Sequence, residues 1–214
     1  MIVKCFEFNM LPVNTYVIWN PDDREAVIID PGCYFSGEAA ILKQYIDENY
    51  LTVKHLLNTH LHFDHIFGNP FVENAFHIKA KANDCDIKWL LNIKKRVEIF
   101  GLRYDETINP IEDDNILNEG DTIAYGNSVL SIFHIPGHSP GSLVFYSKKD
   151  DILFTGDVLF QGSIGRSDFP DSDTSALTSG IKNKLFVLPD NTIVYPGHGP
   201  ATTIGYEKKY NRCL

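Results

Sequence analysis

Three histidines and an aspartate lie within the short segment 60–65, namely His60, His62, Asp64 and His65. On an extended chain, residues two apart point to the same side, so His60 and His62 can bind one ion. Asp64 and His65 follow near a predicted helix start and can point at a second ion. A solvated polar loop is the alternative, but clustered imidazoles repel one another on protonation, and a divalent cation supplies the missing compensation. The segment therefore predicts a metal site.

Three further candidate ligands share a local pattern, in which a predicted apolar strand ends and a glycine precedes the polar side chain. They are His138, Asp157 and His198. The glycine frees the backbone, so the side chain can reach the mouth of the sheet. Together the two sets offer five histidines and two aspartates, enough for two divalent ions that share one carboxylate. Imidazole and carboxylate ligands suit Zn²⁺, which is the expected ion, and also Fe²⁺ and Mn²⁺.

The other histidines and the cysteines are expected to have ordinary structural roles. His55 and His134 lie within predicted strands and are expected to be packed or hydrogen-bonded, while His77 is an isolated loop residue. The four cysteines form no C-x-x-C pair, and a chain of 214 residues does not need disulfide bonds to be stable. Reduced, mostly structural thiols are therefore expected, including that of Cys33 in a predicted loop.

The candidate ligands follow predicted strands that alternate with helices. Period-two alternation and β-branched or aromatic residues predict the strands, and helical spacing of apolar residues predicts the helices. The first part of the chain carries predicted strands at 3–8, 15–19, 26–29 and 53–57 and helices at 38–48 and 84–99. The second part carries strands at 128–135, 142–146, 151–155 and 192–195 and a helix at 174–185.

Two halves, around residues 1–100 and 120–214, thus repeat the alternation of strands and helices. Two sheets packed face to face, with helices on each outer side, would bury every apolar face in an α/β sandwich. Periodicity alone does not separate this arrangement from other layered α/β folds. The length fits a single domain over 1–214, or a tight pair of half-domains.

Composition excludes several broad classes of protein. With 43% hydrophobic and 22% charged residues, the chain is ordinarily globular rather than disordered. Its 19 Lys and Arg against 28 Asp and Glu give a net charge of −9, which argues against nucleic-acid binding. The run Lys94-Lys95-Arg96 is interpreted as the solvated face of a helix. No signal-peptide pattern and no apolar run of roughly 18 residues is found, so we expect a cytoplasmic protein that acts on a small molecule without a membrane partner.

The order of these motifs resembles that of the metallo-β-lactamase superfamily. Its H-x-H-x-D-H motif is matched in full by the segment 60–65, and Asp30, in Asp30-Pro31-Gly32, matches its early aspartate, usually a supporting residue near the metals. The resemblance implies an αββα four-layer sandwich. It also implies two metal sites, the first held by His60, His62 and His138, the second by Asp64, His65 and His198, with Asp157 bridging both.

Within that superfamily, the segments 154–160, 162–168 and 196–205 look like those of short glyoxalase II-like hydrolases, the hydroxyacylglutathione hydrolases. This resemblance implies a binuclear hydrolase of thioesters of the S-D-lactoylglutathione type, in which a metal-bridging hydroxide attacks and Asp64 and Asp157 are catalytic. True β-lactamases of the superfamily typically carry Cys where Asp157 stands, so antibiotic hydrolysis is not expected as the main activity. The flavin-dependent di-iron branch carries Glu at the second ligand position, where this sequence has His62. The RNA-processing branch usually carries a basic arm, which this sequence lacks.

Two alternatives remain open at this level. A mononuclear iron persulfide dioxygenase of the same superfamily would use His60, His62, His138 and Asp157 and consume oxygen. A non-catalytic metal-binding module is the other alternative, although it would not need so complete a set of ligands.

The basic residues that could hold a glutathione carrier are few. Longer glyoxalase II enzymes continue into a helical domain that supplies them, whereas this sequence ends at Leu214. We expect Lys208, Lys209 and Arg212 to form a frayed, solvated tail. Arg166 can anchor a substrate carboxylate or brace its own loop, and bracing is the role expected.

Overall fold

Two β-sheets form the centre of the protein. The computed structural model describes residues 1–214, apart from the side chain of Asn92. In the first sheet the first three strands are antiparallel, and the third to fifth are parallel. In spatial order these strands are β1 (Ile2–Phe8), β2 (Val13–Trp19), β3 (Glu25–Ile29), β4 (Thr52–Leu57) and β5 (Ala80–Lys81).

The second sheet is built from the C-terminal half of the chain. Its neighbouring strands are antiparallel, except for the parallel pair β9 and β12. A separate short hairpin joins β10 (Leu159–Phe160) to β11 (Ser163–Ile164). The spatial order of the sheet is β13 (Thr202–Thr203), β12 (Ile193–Pro196), β9 (Ile152–Gly156), β8 (Leu143–Ser147), β7 (Ser128–His134) and β6 (Thr122–Tyr125).

Helices cover the outer face of each sheet. On the first sheet lie α1 (Ser36–Glu48), α3 (Asn69–Phe76) and α4 (Ile93–Ile99), whose buried residues share one core with that face. On the second sheet lie α5 (Thr174–Gly180) and α6 (Ile204–Tyr210). The short helix α2 (Phe63–Ile66) follows β4 at the open edge between the sheets. The architecture is the four-layer αββα sandwich, as predicted.

Strand β3 shows why the sandwich is stable. Val27 and Ile29 point into the core between the sheets, whereas Ala26 and Ile28 point to the core beneath the helices. All four side chains are fully buried. Because side chains alternate between the two faces of a strand, a strand covered on both faces must be apolar at every position. This is the physical reason for the unbroken apolar run that predicted it.

Two predicted helices differ from the α-helices expected. The segment 84–99 begins as a 3₁₀-helix, Asp84–Asn92, and becomes α-helical only at Ile93–Ile99. Asn83 caps the first turn by accepting from the backbone N–H of Cys85, and Asp86 accepts from the backbone N–H of Gly141 in a neighbouring loop. The helix predicted at 174–185 closes with a π-helical turn, Ile181–Leu185.

The prediction of a frayed, solvated tail at Lys208, Lys209 and Arg212 is wrong in part: both lysines are exposed, but residues 204–210 are ordered. They form α6, in which Thr203 caps the first turn by accepting from the Tyr206 N–H, and Ile204 is fully buried. Lys208 pairs with Asp190 at 2.5 Å rather than remaining free, whereas Arg212 beyond the helix is exposed. Glu207 anchors the helix as well, since its buried carboxylate accepts from the Thr202 hydroxyl and from the Gly162 N–H. Among the described residues, no helix is long and apolar enough to cross a membrane.

Candidate metal centre

The segment 58–66 carries the first candidate ligands from the end of β4 into a helix. His60 lies in the connection after β4, and His62 occupies the N-cap position of α2 with an extended backbone. Asp64 and His65 belong to the single turn of α2 that follows. The backbone changes from extended to helical after His62. As the sequence indicated, His60 and His62 therefore point to one place, and Asp64 and His65 point to another.

The first group of side chains contains three histidines. His60 Nε2 and His138 Nε2 lie 3.1 and 3.0 Å from the Nδ1 of His62. The outer nitrogens of two rings are committed elsewhere: His60 Nδ1 lies 3.0 Å from the Thr59 hydroxyl, and His138 Nδ1 lies 2.8 Å from the Arg166 carbonyl. The three inward nitrogens therefore converge on one point, where they could hold a metal ion.

The second group contains Asp64, His65 and His198. The Oδ2 of Asp64 lies 3.5 Å from His198 Nε2 and 3.8 Å from His65 Nε2. The outer nitrogens are again engaged, since His65 Nδ1 donates to Asp30 Oδ2 and His198 Nδ1 donates to the Pro12 carbonyl, both over 3.0 Å. This group also has ligand atoms close enough together to hold an ion.

Asp157 lies between the two groups. Its Oδ1 is 3.5 Å from His65 Nε2, while its Oδ2 is 3.5 Å from His138 Nε2 and 3.6 Å from His198 Nε2. The carboxylate thus faces one histidine of the first group and two of the second. The structure brings together all seven residues that the sequence singled out, and Asp157 faces both groups.

The hydrogen-bonding pattern of the first group fits a bound cation. The Arg166 carbonyl can only accept, so His138 Nδ1 carries the hydrogen and its Nε2 presents a lone pair. The Thr59 hydroxyl donates to Asp30, so it accepts from His60 Nδ1, and His60 Nε2 also presents a lone pair. One hydrogen on His62 Nδ1 cannot satisfy both lone pairs, whereas a cation at their meeting point satisfies all three rings.

Two buried atoms beside the second group support the same reading. His65 Nε2 and Asp157 Oδ1 are buried with no hydrogen-bond partner among the described atoms. Unpartnered buried polar atoms cost free energy, so such a pair is expected where a metal ion normally completes the contacts. The donor set of imidazoles and carboxylates suits Zn²⁺, Fe²⁺ or Mn²⁺.

The electrostatics differ between the two groups. Burial lowers the pKa of His60 well below its ordinary value, and the neighbouring imidazoles lower it further. Burial and the nearby His138 likewise lower the pKa of His62 to about 3. Both rings are therefore neutral at physiological pH, which is the state that a metal requires of an imidazole ligand.

The second group is acidic and attracts positive charge. Burial opposes protonation of His65, but the carboxylates of Asp157, Asp64 and Asp30 outweigh it and raise the pKa of His65 to about 10. Burial would raise the pKa of Asp64, yet the adjacent histidines hold that pKa at about 2. The carboxylates thus require a positive charge among them, which either a proton on His65 or a divalent cation can provide.

One buried carboxylate that sequence reasoning missed ties the ligand loops together. Asp86 is fully buried, and its Oδ2 accepts from the Leu61 backbone N–H at 3.2 Å and from the Ser139 hydroxyl at 2.7 Å. Its Oδ1 accepts from the Gly141 N–H at 2.7 Å. Asp86 therefore joins the loop of His60 to the loop that follows β7. Its position within a predicted helix gave no signal of this role.

A cavity of about 560 Å³ opens onto the ligand groups. Its walls are aromatic, from Phe63, Trp89, Phe100, Phe160 and Phe169. Arg96 also lines it, which corrects the interpretation of 94–96 as a solvated face: Lys94 and Lys95 are exposed, but Arg96 is half-buried against Trp89. The linear sequence did not reveal that one member of the basic run turns inward.

The two strand histidines, Arg166 and Cys33 have the surroundings predicted for them. His55 Nε2 donates to the Ala124 carbonyl at 2.9 Å, and His134 Nε2 to the Pro140 carbonyl at 2.7 Å, so both strand histidines are hydrogen-bonded as predicted. Arg166 pairs with Asp168 through two bonds, at 3.0 and 3.1 Å, in agreement with a bracing role. Cys33 is buried, and burial raises the pKa of its thiol.

Comparisons with known proteins agree with this geometry. Residues 9–198 match the metallo-beta-lactamase superfamily. The chain is similar to the hydroxyacylglutathione hydrolase GloC of Haemophilus influenzae, with 39% identity over 94% of this chain and 92% of that protein. It is also similar to the structure of BLEG-1 B3 metallo-beta-lactamase, with a TM-score of 0.88 and 38% identity over 99% of this chain and 98% of the other. The structure of TTHA1623 in a di-iron-bound form gives a TM-score of 0.84 and 31% identity over 100% of both chains.

Proposed function

This chain belongs to the metallo-β-lactamase superfamily, and on that premise we propose that it is a metal-dependent hydrolase of thioesters of the S-D-lactoylglutathione type. The observation that carries the proposal is the position of Asp157, whose two carboxylate oxygens face the two groups of candidate ligands. The similarity to a hydroxyacylglutathione hydrolase over nearly the whole chain supports the choice of substrate.

In this proposal the candidate ligands hold two divalent cations, with Zn²⁺ as the expected ion and Fe²⁺ or Mn²⁺ as alternatives. His60, His62 and His138 would hold the first, Asp64, His65 and His198 the second, and Asp157 would contact both. Such ions would supply a hydroxide near neutral pH, because a bound divalent cation strongly lowers the pKa of water, and they would stabilise the oxyanion that develops.

The protein's own residues then position the reactants. Asp64 would accept the single hydrogen bond that the hydroxide can donate and so orient it toward the thioester carbonyl, while Asp157, as the shared ligand, would hold the two ions that supply the hydroxide. The aromatic walls of the cavity exclude water and hold the apolar part of the substrate. The leaving group is a thiolate, which departs without a strong general acid, so the proposal requires no further ionisable group in the cavity.

A direct test is the turnover of S-D-lactoylglutathione by purified protein, with bound metal counted on the same sample. We expect hydrolysis with about two ions per chain, the number of a shared-carboxylate site. Two bound ions without thioester hydrolysis would overturn the substrate assignment.

Two other activities should be measured on the same preparation. The similarity to a structure described as a B3 metallo-beta-lactamase makes nitrocefin a necessary comparison substrate, and faster hydrolysis of nitrocefin than of the thioester would replace the proposal by β-lactam hydrolysis. Oxygen consumption with a persulfide by protein that holds a single iron would replace it by the dioxygenase reaction.

A further inference from the structure

We propose that Arg96 binds a carboxylate of the substrate, so that the cavity selects thioesters that combine a negative charge with an apolar body. The inference rests on the proposed function, because it names the substrate class of the same site. Arg96 lies on α4, and its side chain shares the lining of the 560 Å³ cavity with His62, Asp157 and His198.

The position of Arg96 is set by an aromatic ring. Its guanidinium carbon lies 3.8 Å from the centre of the Trp89 ring. The Trp89 ring in turn meets the His62 ring edge-to-face, with 4.7 Å between centres. A guanidinium that stacks on an aromatic face keeps its N–H donors in its own plane, free to bind a carboxylate in bidentate fashion. Arg96 is thus held one ring away from the first ligand group.

Arg96 forms no ion pair with Asp64 or Asp157, the two carboxylates that line the same cavity. Among the described residues, Arg96 takes part in no ion pair. The other arginine of the lining, Arg166, is neutralised by Asp168 at 3.0 Å, and its side chain is 67% exposed. The chain as a whole carries a net charge of −9, so Arg96 is a local positive charge, partly buried and without an ion-pair partner, on an acidic protein. It provides an anion subsite that Arg166 does not.

The surroundings of Arg96 define the rest of the ligand. Ile93 and Phe100, on and just after α4, line the same cavity together with Phe63. Phe100 and Ile99 remain 57% and 77% exposed, which leaves apolar surface for a ligand to cover. Contact with an apolar segment of the substrate would remove these side chains from water, so the geometry favours a thioester that presents such a segment beside its carboxylate.

The carboxylate can belong to the thiol carrier or to the acyl group, and substrate pairs separate the two sources. S-D-lactoylglutathione is compared with its diethyl ester, in which the carboxylates of the carrier are blocked. The S-succinyl thioester of N-acetylcysteamine is compared with the S-butyryl thioester, which lacks the acyl carboxylate. In each pair only the charge at one end of the substrate changes appreciably.

The variant to test is Arg96→Met, which keeps an unbranched apolar side chain and removes the guanidinium with its charge. We expect KM to rise, and kcat/KM to fall about 10- to 100-fold, for the charged member of at least one pair, since this is the usual range for a lost charged hydrogen bond. Turnover of the uncharged members should change little, and Arg96→Lys should restore part of the loss. Lys95→Met, which removes an exposed charge of the same helix, is the matched control and should leave both classes unchanged.

A binding measurement separates this inference from the proposed function. S-hexylglutathione, a thioether that cannot be hydrolysed and that carries the carboxylates of the thiol carrier, should quench tryptophan fluorescence; where the carrier supplies the carboxylate, its dissociation constant should be about 10-fold higher in Arg96→Met. If the protein hydrolyses no thioester yet shows this difference, the function fails and the anion subsite stands. Equal losses on charged and uncharged thioesters, or a selective loss in Arg166→Met instead of Arg96→Met, would overturn the assignment of Arg96.

Discussion

His65 Nδ1 donates a hydrogen bond of 3.0 Å to Asp30 Oδ2, and this contact joins the end of β3 to helix α2. Asp30 is itself fixed, because it also accepts from the backbone N–H and the hydroxyl of Thr59, at 2.7 and 2.6 Å. A carboxylate that holds the outer nitrogen of a histidine sets the direction of its inner nitrogen. The orientation of His65 is therefore decided by a residue far away in sequence.

Replacement of Asp30 should weaken the second ligand group selectively. In Asp30→Asn the acceptor loses its charge, while asparagine still tolerates the positive φ of 49° at this position. We expect affinity for an ion at the group of Asp64, His65 and His198 to fall about 10- to 100-fold, measured by competition with a chelator. Asp47→Asn, at an exposed site on α1, is the control. Equal loss of both ions would contradict a selective role.

Asp157→Asn should reduce both metal retention and turnover. The amide offers one oxygen instead of two and carries no charge, so it cannot serve both ligand groups. We expect turnover to fall on the order of 100-fold or more, with fewer than two ions per chain by elemental analysis. Full activity with two ions bound in this variant would remove Asp157 from the site.

Gly197 is a position where any side chain should disturb the site. A Cβ there would overlap the Asp157 carboxylate and stand 2.7 Å from His65 Cε1. Gly197→Ala should therefore lower metal content and activity together, while circular dichroism reports an intact fold. Gly37 lies in α1, and a Cβ added there would have no atom within 4 Å. The control variant Gly37→Ala should therefore keep its activity, and its stability should be unchanged or slightly higher.

Asp86→Ala should destabilise the protein and loosen the first ligand group. The change leaves buried donors of Leu61, Ser139 and Gly141 without an acceptor. Leaving a buried group unsatisfied costs about 1–3 kcal/mol, so the urea midpoint should fall clearly. Asp84→Ala, an exposed position of the same 3₁₀-helix, should leave the midpoint nearly unchanged. A wild-type midpoint in Asp86→Ala would show that the loops hold together without this carboxylate.

His55 should contribute to the loss of stability in acid. Burial lowers the pKa of His55 in the folded protein, although its bond to the Ala124 carbonyl offsets part of the effect. The unfolded chain, with a histidine pKa of about 6.5, then binds a proton more readily, so stability falls as the pH drops below that value.

The change in unfolding free energy between pH 8 and pH 5 tests this contribution. It should be smaller in His55→Gln than in the wild type, by a fraction of the roughly 1.4 kcal/mol that one pKa unit represents. The other histidines contribute equally to the pH dependence of the variant and of the wild type, so the difference between the two isolates His55. His77→Asn, which removes an exposed imidazole at a positive φ of 56°, is the control. An unchanged pH dependence in His55→Gln would contradict the prediction.

The elements with apolar cores were predictable because their signal is local. Strand β3, predicted at 26–29, is found at Glu25–Ile29, and helix α1, predicted at 38–48, at Ser36–Glu48. Helix α6 was missed because its seven residues bury only Ile204 and Glu207, too few to show a period. The 3₁₀ form of 84–92 was equally invisible, since it depends on bonds to loops distant in sequence.

The sequence by itself singled out the seven candidate metal ligands, since residue type, spacing and the strand–glycine pattern are local properties, and its resemblance to a known family implied the four-layer fold. Only the tertiary structure decided how they meet: that Asp157 faces both groups, that Asp30 and Asp86 fix the ligand loops, and that Arg96 turns into the cavity over Trp89. These relationships join residues from different elements, and their distances are set by how the two sheets and their helices pack. No pattern along the chain encodes them, because the same spacing is compatible with many relative placements of the loops.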